Sequence, residues 1–331
     1  KQNEKNNFKK IHTIFGSYDF INFKLTGKYS IEHNWALESG LMDFKKKKFT
    51  SDLVKLGSIK LSMLPKIFPS DHILGNISEN LSKELSLEKN VKVIAGCADH
   101  VVSAFSAGIK KSGDVLLKFG GAGDILISTE KPLNDQRLFL DFHIIPNLFM
   151  PNGCMASSGS MLNWFIKNFL SHSKIPESNI YSYLDKKASQ SNILNNKIII
   201  LPYFLGEKTP IHDVHAKGTI SGLGLNNTIY DLWIGFLEAV SFGFKHHLDV
   251  LCENNLPINN IFASDGGSSS KLWMQITANI LQKPIKIYKN IEGSSLGASF
   301  VAAKSVNLYR NWNEIRNLLG ECKTVIPQKN L

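Results

Sequence analysis

The residues best suited to chemistry in this sequence are glycines and serines gathered in four short clusters. They are GGAG at 120–123, SSGS at 157–160, DGGSSS at 265–270 and EGSSLGAS at 292–299. Each follows a predicted strand, and the last three lead into predicted helices. Helix N-termini present free backbone N–H groups and the positive end of the helix dipole, which together bind phosphate. Four such clusters in one α/β chain predict a nucleotide bound across the carboxyl edge of a sheet.

A carboxylate and an imidazole stand side by side at Asp99 and His100, directly after the predicted strand VKVIAG at 91–96. They open a small-residue helix, whose dipole favours an ionised carboxylate at this position. Such a carboxylate can accept the proton of a substrate hydroxyl during phosphoryl transfer. Aspartate also caps helices, which is worth about 1 kcal/mol. Taken alone, the residues favour the capping role for Asp99.

Several familiar signatures of nucleotide and hydrolytic sites are missing from the sequence: GxxxxGK[ST], a complete GxGxxG before a helix, GxSxG and HExxH. The paired histidines do not predict a metal site. His212 and His215 lie in a proline-flanked loop, and His246 and His247 are adjacent in a predicted helix, where they cannot face one ligand. The prediction of a bound nucleotide therefore depends on the glycine clusters.

The elements that would position these residues alternate in type. A predicted hairpin surrounds the 120–123 cluster, and strands and helices alternate after it. The longest predicted helix spans 228–254, where apolar residues recur at helical spacing after a capping-box-like start. A buried strand is predicted at 197–204. This order indicates an α/β fold with a mixed sheet covered on both faces, and the turn at 108–113 is the best candidate for a domain boundary.

Composition narrows the classes of partner. The chain has 331 residues, enough for about two domains, and a net charge of +10 that first suggests nucleic acid. Its arginines are only Arg137, Arg310 and Arg316, however, whereas nucleic-acid surfaces favour arginine. No apolar stretch approaches the roughly 18 residues of a transmembrane helix, and the four scattered cysteines suit a reducing cytosol. We therefore expect a cytoplasmic protein that binds neither nucleic acid nor a membrane.

Five segments, in order and over almost the whole chain, resemble the FGGY family of carbohydrate kinases. They are AGCADHVVSAFSAG at 95–108, KSGDVLLKFGGAGD at 111–124, LPYFLGEKTPIHDVHAKGTISGL at 201–223, ASDGGSSSKLWMQI at 263–276 and EGSSLGASFVAA at 292–303. The resemblance implies an actin-like ATPase (ribonuclease H-like) fold, with mixed sheets flanked by helices. It also implies two domains: an incomplete N-terminal sugar-binding domain at 1–110 and a C-terminal nucleotide-binding domain at 111–331.

The resemblance further implies roles for particular residues. Asp99 falls on the catalytic aspartate, and His100 takes the next position, which contacts substrate and is usually Asn or Gln in the family. The implied ATP contacts are Gly120, Gly121, Ala122, Gly123, Gly159, Asn163, Asp265, Gly266, Gly267 and Lys271. Gly121 and Ala122 stand where the family usually has threonine and serine, so backbone N–H groups must replace a hydroxyl contact. ATP and Mg²⁺ are the implied cofactors, and no Mg²⁺ ligand is identified.

The family's Asp-x-Gly-Thr turn and its usual final helix do not match any part of the sequence. We therefore expect a fragment that is inactive on its own. The LPY and GEKTP segments favour a ketopentose substrate such as D-xylulose, a small molecule phosphorylated by a protein that could form a homodimer. The stretch HNWALESGLMDF at 33–44 closely matches neither the pentulose-kinase-like nor the glycerol-kinase-like members of the family. Kinases of glycerol, ribulose or gluconate, and a binding-only actin-like relative, stay open as alternatives.

Overall fold

The computed structural model describes residues 2–171, 179–190, 197–289 and 293–328. The chain divides into two compact units. The first contains Lys1–Ser106, Asp141–Pro146 and Glu292–Arg316, and the second contains Ala107–Leu140, Asn147–Ile291 and Asn317–Leu331. A single division after residue 110 would assign 141–146 and 292–316 to the other unit, because one cut cannot represent a chain that returns twice. The predicted domain limits therefore stay a prediction.

The helices of the described residues are α1 (Lys5–Lys9), α2 (Ser17–Thr26), α3 (His33–Glu38), α4 (Ser51–Leu56), α5 (Glu79–Glu84), α6 (Asp99–Ser106), α7 (Gly159–Phe169), α8 (Ile180–Ala188), α9 (Ile229–Glu253), α10 (Lys271–Leu281) and α11 (Gly293–Ser305). The strands are β1 (Ile31–Glu32), β2 (Met42–Asp43), β3 (Lys48–Phe49), β4 (Ile67–Phe68), β5 (Ile73–Asn76), β6 (Lys92–Ile94), β7 (Asp114–Phe119), β8 (Gly123–Ile127), β9 (Phe139–Phe142), β10 (Phe149–Met155), β11 (Ile199–Leu201), β12 (Thr219–Ser221), β13 (Asn260–Ser264), β14 (Ile285–Tyr288) and β15 (Cys322–Val325). Short 3₁₀ turns span Leu61–Met63, Gly266–Ser269 and Trp312–Leu318.

Helices α6 and α11 pack against each other in the first unit. A Cβ on Gly297 of α11 would lie 2.3 Å from the carbonyl oxygen of Val102 on α6, so the two backbones touch at this glycine. The rings of Phe105 and Phe300 extend the contact at a centroid distance of 5.5 Å. Gly297 of the predicted cluster therefore serves helix packing in the first unit, and a nucleotide-binding role for the cluster stays a prediction.

The second unit is built on a seven-stranded mixed sheet with the order β15-β14-β13-β7-β8-β10-β9. Strand β13 lies parallel to both β7 and β14, whereas β7, β8 and β10 are antiparallel neighbours. The predicted hairpin around residues 120–123 is confirmed as the tip between β7 and β8. Because β7 and β13 run in the same direction, the clusters that follow them lie at the same edge of the sheet.

Helix α9 contributes much of the core of the second unit. Thr228 and Asp231 form the predicted capping box, and the helix ends at Glu253, as its apolar periodicity predicts. The indole Nε1 of Trp273 on α10 donates to the Leu237 carbonyl oxygen at 3.1 Å and ties the two helices together. The prediction of a buried strand at 197–204 is wrong. Only Ile199–Leu201 is a strand, it pairs with β12 in a two-stranded ribbon, and Ile199 is 65% exposed.

Candidate functional site

A pocket of about 580 Å³ lies in the second unit, at the edge of the sheet where β7 and β13 end. Pockets of roughly 300–1,000 Å³ hold small-molecule ligands. Six of the residues implicated in ATP binding line it: Gly120, Gly121, Gly159, Asn163, Gly266 and Gly267. Three of the four predicted clusters therefore contribute to one pocket.

The N-terminus of α7 is joined to the hairpin tip by backbone hydrogen bonds. The Ser158 and Ser160 N–H groups donate to the Gly121 carbonyl oxygen at 2.9 and 3.0 Å, and the Gly159 N–H donates to the Gly120 carbonyl oxygen at 2.9 Å. These three N–H groups are not free, so the prediction that this helix start offers them to phosphate is wrong. These hydrogen bonds instead hold the hairpin tip in place, since the carbonyl groups of Gly120 and Gly121 both face the start of α7.

The pocket glycines are of two kinds. A Cβ on Gly159 would lie 2.8 Å from the Gly120 carbonyl oxygen, and one on Gly267 would lie 2.6 Å from a ring atom of Trp273. At these two positions glycine allows protein to touch protein. A Cβ on Gly121 or Gly266 would meet nothing within 4 Å. These two face open space and leave the backbone accessible to a ligand.

One wall of the pocket carries residues that the sequence analysis missed. The ring of Tyr181 meets that of Trp233 edge-on, with centroids 5.8 Å apart, and its hydroxyl donates to Asn163 Oδ1. Asp185 accepts hydrogen bonds from Trp233 Nε1 at 2.9 Å and from Ser270 Oγ at 2.6 Å. Tyr181 and Asp185 lie on α8. The signal for this helix was a buried apolar residue at every fourth position (Ile180, Leu184 and Ala188), which indicates a helix but not what its polar face contacts.

Four other predicted ATP contacts do not line this pocket. Gly123 begins β8, and a Cβ there would lie 2.5 Å from the Met155 side chain, so its neighbours are core residues. Asp265 Oδ2 would be 3.3 Å from a Cβ on Gly120, which puts this carboxylate beside the hairpin tip. Lys271 lines a separate pocket of about 880 Å³. The ATP-binding roles of Ala122, Gly123, Asp265 and Lys271 stay predictions.

Asp99 and His100 begin α6 in the first unit. The Asp99 side chain is 90% exposed, and its Oδ1 accepts a hydrogen bond from the backbone N–H of His100 at 2.7 Å. The His100 ring lies between carboxylates. Its Nε2 is 2.9 Å from Asp141 Oδ2 and 3.9 Å from Glu38 Oε1, and its Nδ1 is 3.5 Å from Asp99 Oδ1.

These carboxylates govern the charge of the ring. Burial alone would lower the pKa of His100, but the hydrogen bond and charge of Asp141, with the charges of Glu38 and Asp99, raise it above its ordinary value. Burial and the nearby charge of Asp141 raise the pKa of Glu38 to about 7. The three carboxylates therefore favour the protonated ring of His100, and the Glu38 carboxyl has its pKa near neutral pH.

Glu38, His100 and Asp141 also have atoms of ligand type within 4.8 Å of one another. The direct hydrogen bond between His100 Nε2 and Asp141 occupies the nitrogen that a metal ion would need. Mg²⁺ prefers oxygen ligands, and the pocket carboxylate Asp185 already accepts protein hydrogen bonds at both oxygens. These two groups therefore identify no Mg²⁺ ligand, and the ion stays a prediction.

Among the described residues, no helix combines the length and apolar character needed to cross a membrane.

Comparison with known proteins gives matches along nearly the whole chain. The N-terminal domain model of the FGGY family of carbohydrate kinases matches residues 1–106, and its C-terminal domain model matches residues 120–306. The chain is 27% identical over 318 residues to the xylulose kinase of Staphylococcus xylosus, covering 95% of this chain and 64% of that one. It is 21% identical over 318 residues to the gluconokinase of Bacillus subtilis, covering 94% of this chain and 62% of that one.

A solved structure agrees with these matches. The xylulose kinase from Rhodospirillum rubrum is 39% identical and superposes with a TM-score of 0.91, covering 99% of this chain and 66% of that one. The chain thus spans less than two thirds of the length of each relative. The expected actin-like α/β fold is confirmed by these neighbours. Two domain models that match in order and together cover most of the sequence show that the chain belongs to the FGGY family of carbohydrate kinases.

Proposed function

We propose that the protein containing this chain is an ATP-dependent kinase that transfers the γ-phosphoryl group to a hydroxyl of a ketopentose such as D-xylulose. The observation that carries the proposal is the pocket at the sheet edge, which is lined by Gly120, Gly121, Gly266 and Gly267. Its glycine backbone suits phosphates, and Tyr181 and Trp233 offer apolar rings to a nucleoside base. The named xylulose kinases among the relatives support the choice of sugar.

Asp99 is proposed as the base that accepts the proton of the substrate hydroxyl. Phosphoryl transfer depends mainly on positioning and charge neutralisation, with a carboxylate to orient and deprotonate the nucleophile. The Asp99 side chain at the start of α6 is exposed and therefore accessible to a substrate hydroxyl. The hydrogen bond from the His100 N–H to its Oδ1 fixes the orientation of the carboxylate. ATP would supply the phosphoryl group, and Mg²⁺ stays a predicted companion ion without an assigned ligand. A cytoplasmic location and a homodimer remain predictions.

Nucleotide binding by the 331-residue chain tests the pocket. Gly121→Val and Gly266→Val each direct a side chain into open space and should weaken ADP binding by about tenfold or more, equivalent to about 1.4 kcal/mol, in calorimetry. Gly224→Val is the matched control, because Gly224 is exposed and does not line the pocket. Unchanged ADP affinity in both pocket variants would remove this pocket from the proposal.

Turnover tests the base and the substrate. In a full-length version, Asp99→Asn should lower the rate of sugar phosphorylation by ATP by about 10²–10⁴-fold while leaving ADP affinity unchanged. More than a tenth of normal turnover in this variant would reassign Asp99 as a helix cap. The substrate panel is D-xylulose, D-ribulose, glycerol and gluconate. Preference for gluconate would favour the second candidate, which the gluconokinase relative supports, and absence of any turnover would favour a binding-only protein.

A further inference from the structure

The stretch HNWALE at 33–38 has a structural use that the nucleotide pocket and Asp99 do not account for. It forms α3, whose N-cap is the buried Glu32. The Glu32 carboxylate accepts from the backbone N–H groups of Asn34 at 2.8 Å and Trp35 at 3.3 Å, and Ser70 Oγ donates to it at 2.7 Å. The start of this short helix is therefore fixed by its cap.

Asn34 uses this fixed position to hold the returning segment 141–146. Its Nδ2 donates to the Phe142 carbonyl oxygen at 3.0 Å, and its Oδ1 accepts from the Phe142 N–H at 2.7 Å. The amide thus pairs with one residue's backbone as a neighbouring strand would. Asn34 is fully buried, so breaking this pair would leave polar groups without partners. Asp141, the residue before Phe142, is fixed as a consequence.

Two carboxylates held in this way meet one edge of the His100 ring. Asp141 is 3% exposed and accepts from His100 Nε2 at 2.9 Å. Glu38 lies one helical turn after Asn34 on α3, and its Oε1 is 3.9 Å from the same nitrogen. The other ring nitrogen, Nδ1, is 3.5 Å from Asp99 Oδ1. The charged groups facing the ring are therefore Asp141, Glu38 and Asp99, and all three are acidic.

The number of protons on the ring follows from this arrangement. A neutral imidazole has one N–H and one lone pair. If its N–H pointed to Asp141, its lone pair would face Asp99, and two negative regions would oppose each other. The imidazolium has an N–H for each side, so both carboxylates favour it. The asparagine or glutamine usual at this position in the family would present only a neutral amide.

We propose that Asp141 is a positioning residue of the sugar site, which together with Glu38 holds His100 as an imidazolium and so gives the site a charged N–H donor beside Asp99. The contact with sugar rests on the proposed function, whereas the state of the ring does not. A cationic donor forms a stronger hydrogen bond to a hydroxyl oxygen than an amide does. The unusual stretch at 33–38 thereby acquires a role in substrate recognition.

The state of the ring is measured directly in the 331-residue chain by NMR titration of the histidine Cε1–H signals, in the presence of EDTA. His100→Gln identifies the His100 signal by its loss. We expect His100 to titrate above the ordinary value of about 6.5, and Asp141→Asn to lower its pKa. Glu38→Gln should lower it by less, and Glu79→Gln, at an exposed carboxylate that pairs with lysines, should leave it unchanged.

The proposal is overturned if the pKa of His100 is at or below 6.5, or if Asp141→Asn leaves that pKa unchanged. If Asp141→Asn does not fold, Glu38→Gln at its half-exposed position decides the question, because an unchanged His100 pKa there contradicts the charge argument. Sugar binding gives a second readout. In a full-length version, Asp141→Asn should weaken D-xylulose affinity when His100 is present but not in a His100→Gln background, and an equal loss in both overturns the positioning role. Normal His100 titration without binding of any sugar by the full-length version would refute the proposed function alone.

Discussion

Gly267 and its neighbour Gly266 allow the stability of the fold to be tested separately from ligand binding. An ideal Cβ there would lie 2.6 Å from Trp273 Cζ3 and 2.7 Å from Phe119 Cβ. Both neighbours are nearly fully buried, at 3% and 2% exposure, and Phe119 Cβ is anchored directly to the backbone of β7. Neither can move aside without disturbing the core. Gly267→Ala should therefore destabilise the fold by about 1–3 kcal/mol, as overpacked cores do.

Gly266→Ala is the matched control, since a Cβ at Gly266 meets nothing within 4 Å. Gly267→Ala should lower the melting temperature by several degrees, and Gly266→Ala should leave it nearly unchanged. Saturating ADP should affect the two variants in the opposite order, because the increase in melting temperature on ADP binding depends on the pocket. At about 100 times its Kd a ligand stabilises by about 2.7 kcal/mol, and this gain should shrink in Gly266→Ala, whose methyl group faces the pocket.

Thermal melts of the three proteins, with and without ADP, give the complete comparison. Equal melting temperatures for Gly266→Ala and Gly267→Ala would refute the packing argument. A full ADP-dependent rise in Gly266→Ala, together with a diminished one in Gly267→Ala, would refute the assignment of open and packed positions. Sequence analysis implied only an ATP contact for Gly267, and the structure adds a packing role because a Cβ there would point into protein.

Two further predictions concern other parts of the chain. The His247 ring lies between Thr209 and the Gly243 carbonyl, and its burial lowers its pKa to about 4. Between pH 6.5 and 4 the unfolded chain therefore binds a proton that the folded chain does not. The stability of the fold should fall as the pH falls through this range. His247→Gln should flatten this dependence in thermal melts, whereas the same change at exposed His215 should not. Among the described strands β6 pairs only with β5, beside the exposed Leu85, Leu87 and Val91, so the 331-residue chain should self-associate as its concentration rises. Val91→Lys should reduce light scattering, and equal scattering from both proteins would show that this edge is not the cause.

The parts of the fold that were predictable are those encoded by neighbouring residues. The apolar period and capping box of α9 lie within one stretch, and so does the hairpin at 120–123, so local patterns suffice for both. Residues far apart in sequence carry the rest. Nothing near Asp141 indicates that Asn34 will hold its neighbour or that His100 will donate to it. Similarly, the Ser158 N–H is free or bonded depending on a carbonyl group 37 positions earlier, at Gly121.

The candidate site shows the same limit. Glycine clusters could be recognised because phosphate binding needs an accessible backbone, and three of them meet at one pocket. Their individual tasks could not be separated, since an open position such as Gly121 and a packed one such as Gly159 differ only in what surrounds them. Asp185 was missed because its partners, Trp233 and Ser270, come from two later elements.

The pairing of α6 with α11 has a consequence for how the protein is made. Residues 293–305 leave the ribosome almost 190 positions after α6 ends, because most of the second unit is synthesised between them. Until then the face of α6 that carries Val102 and Phe105 lacks its native cover, and exposed apolar surface of this kind invites aggregation. The first unit, although its synthesis begins first, can complete its core only after most of the second unit has emerged. Folding on the ribosome should therefore depend on chaperones that shield α6 throughout this interval.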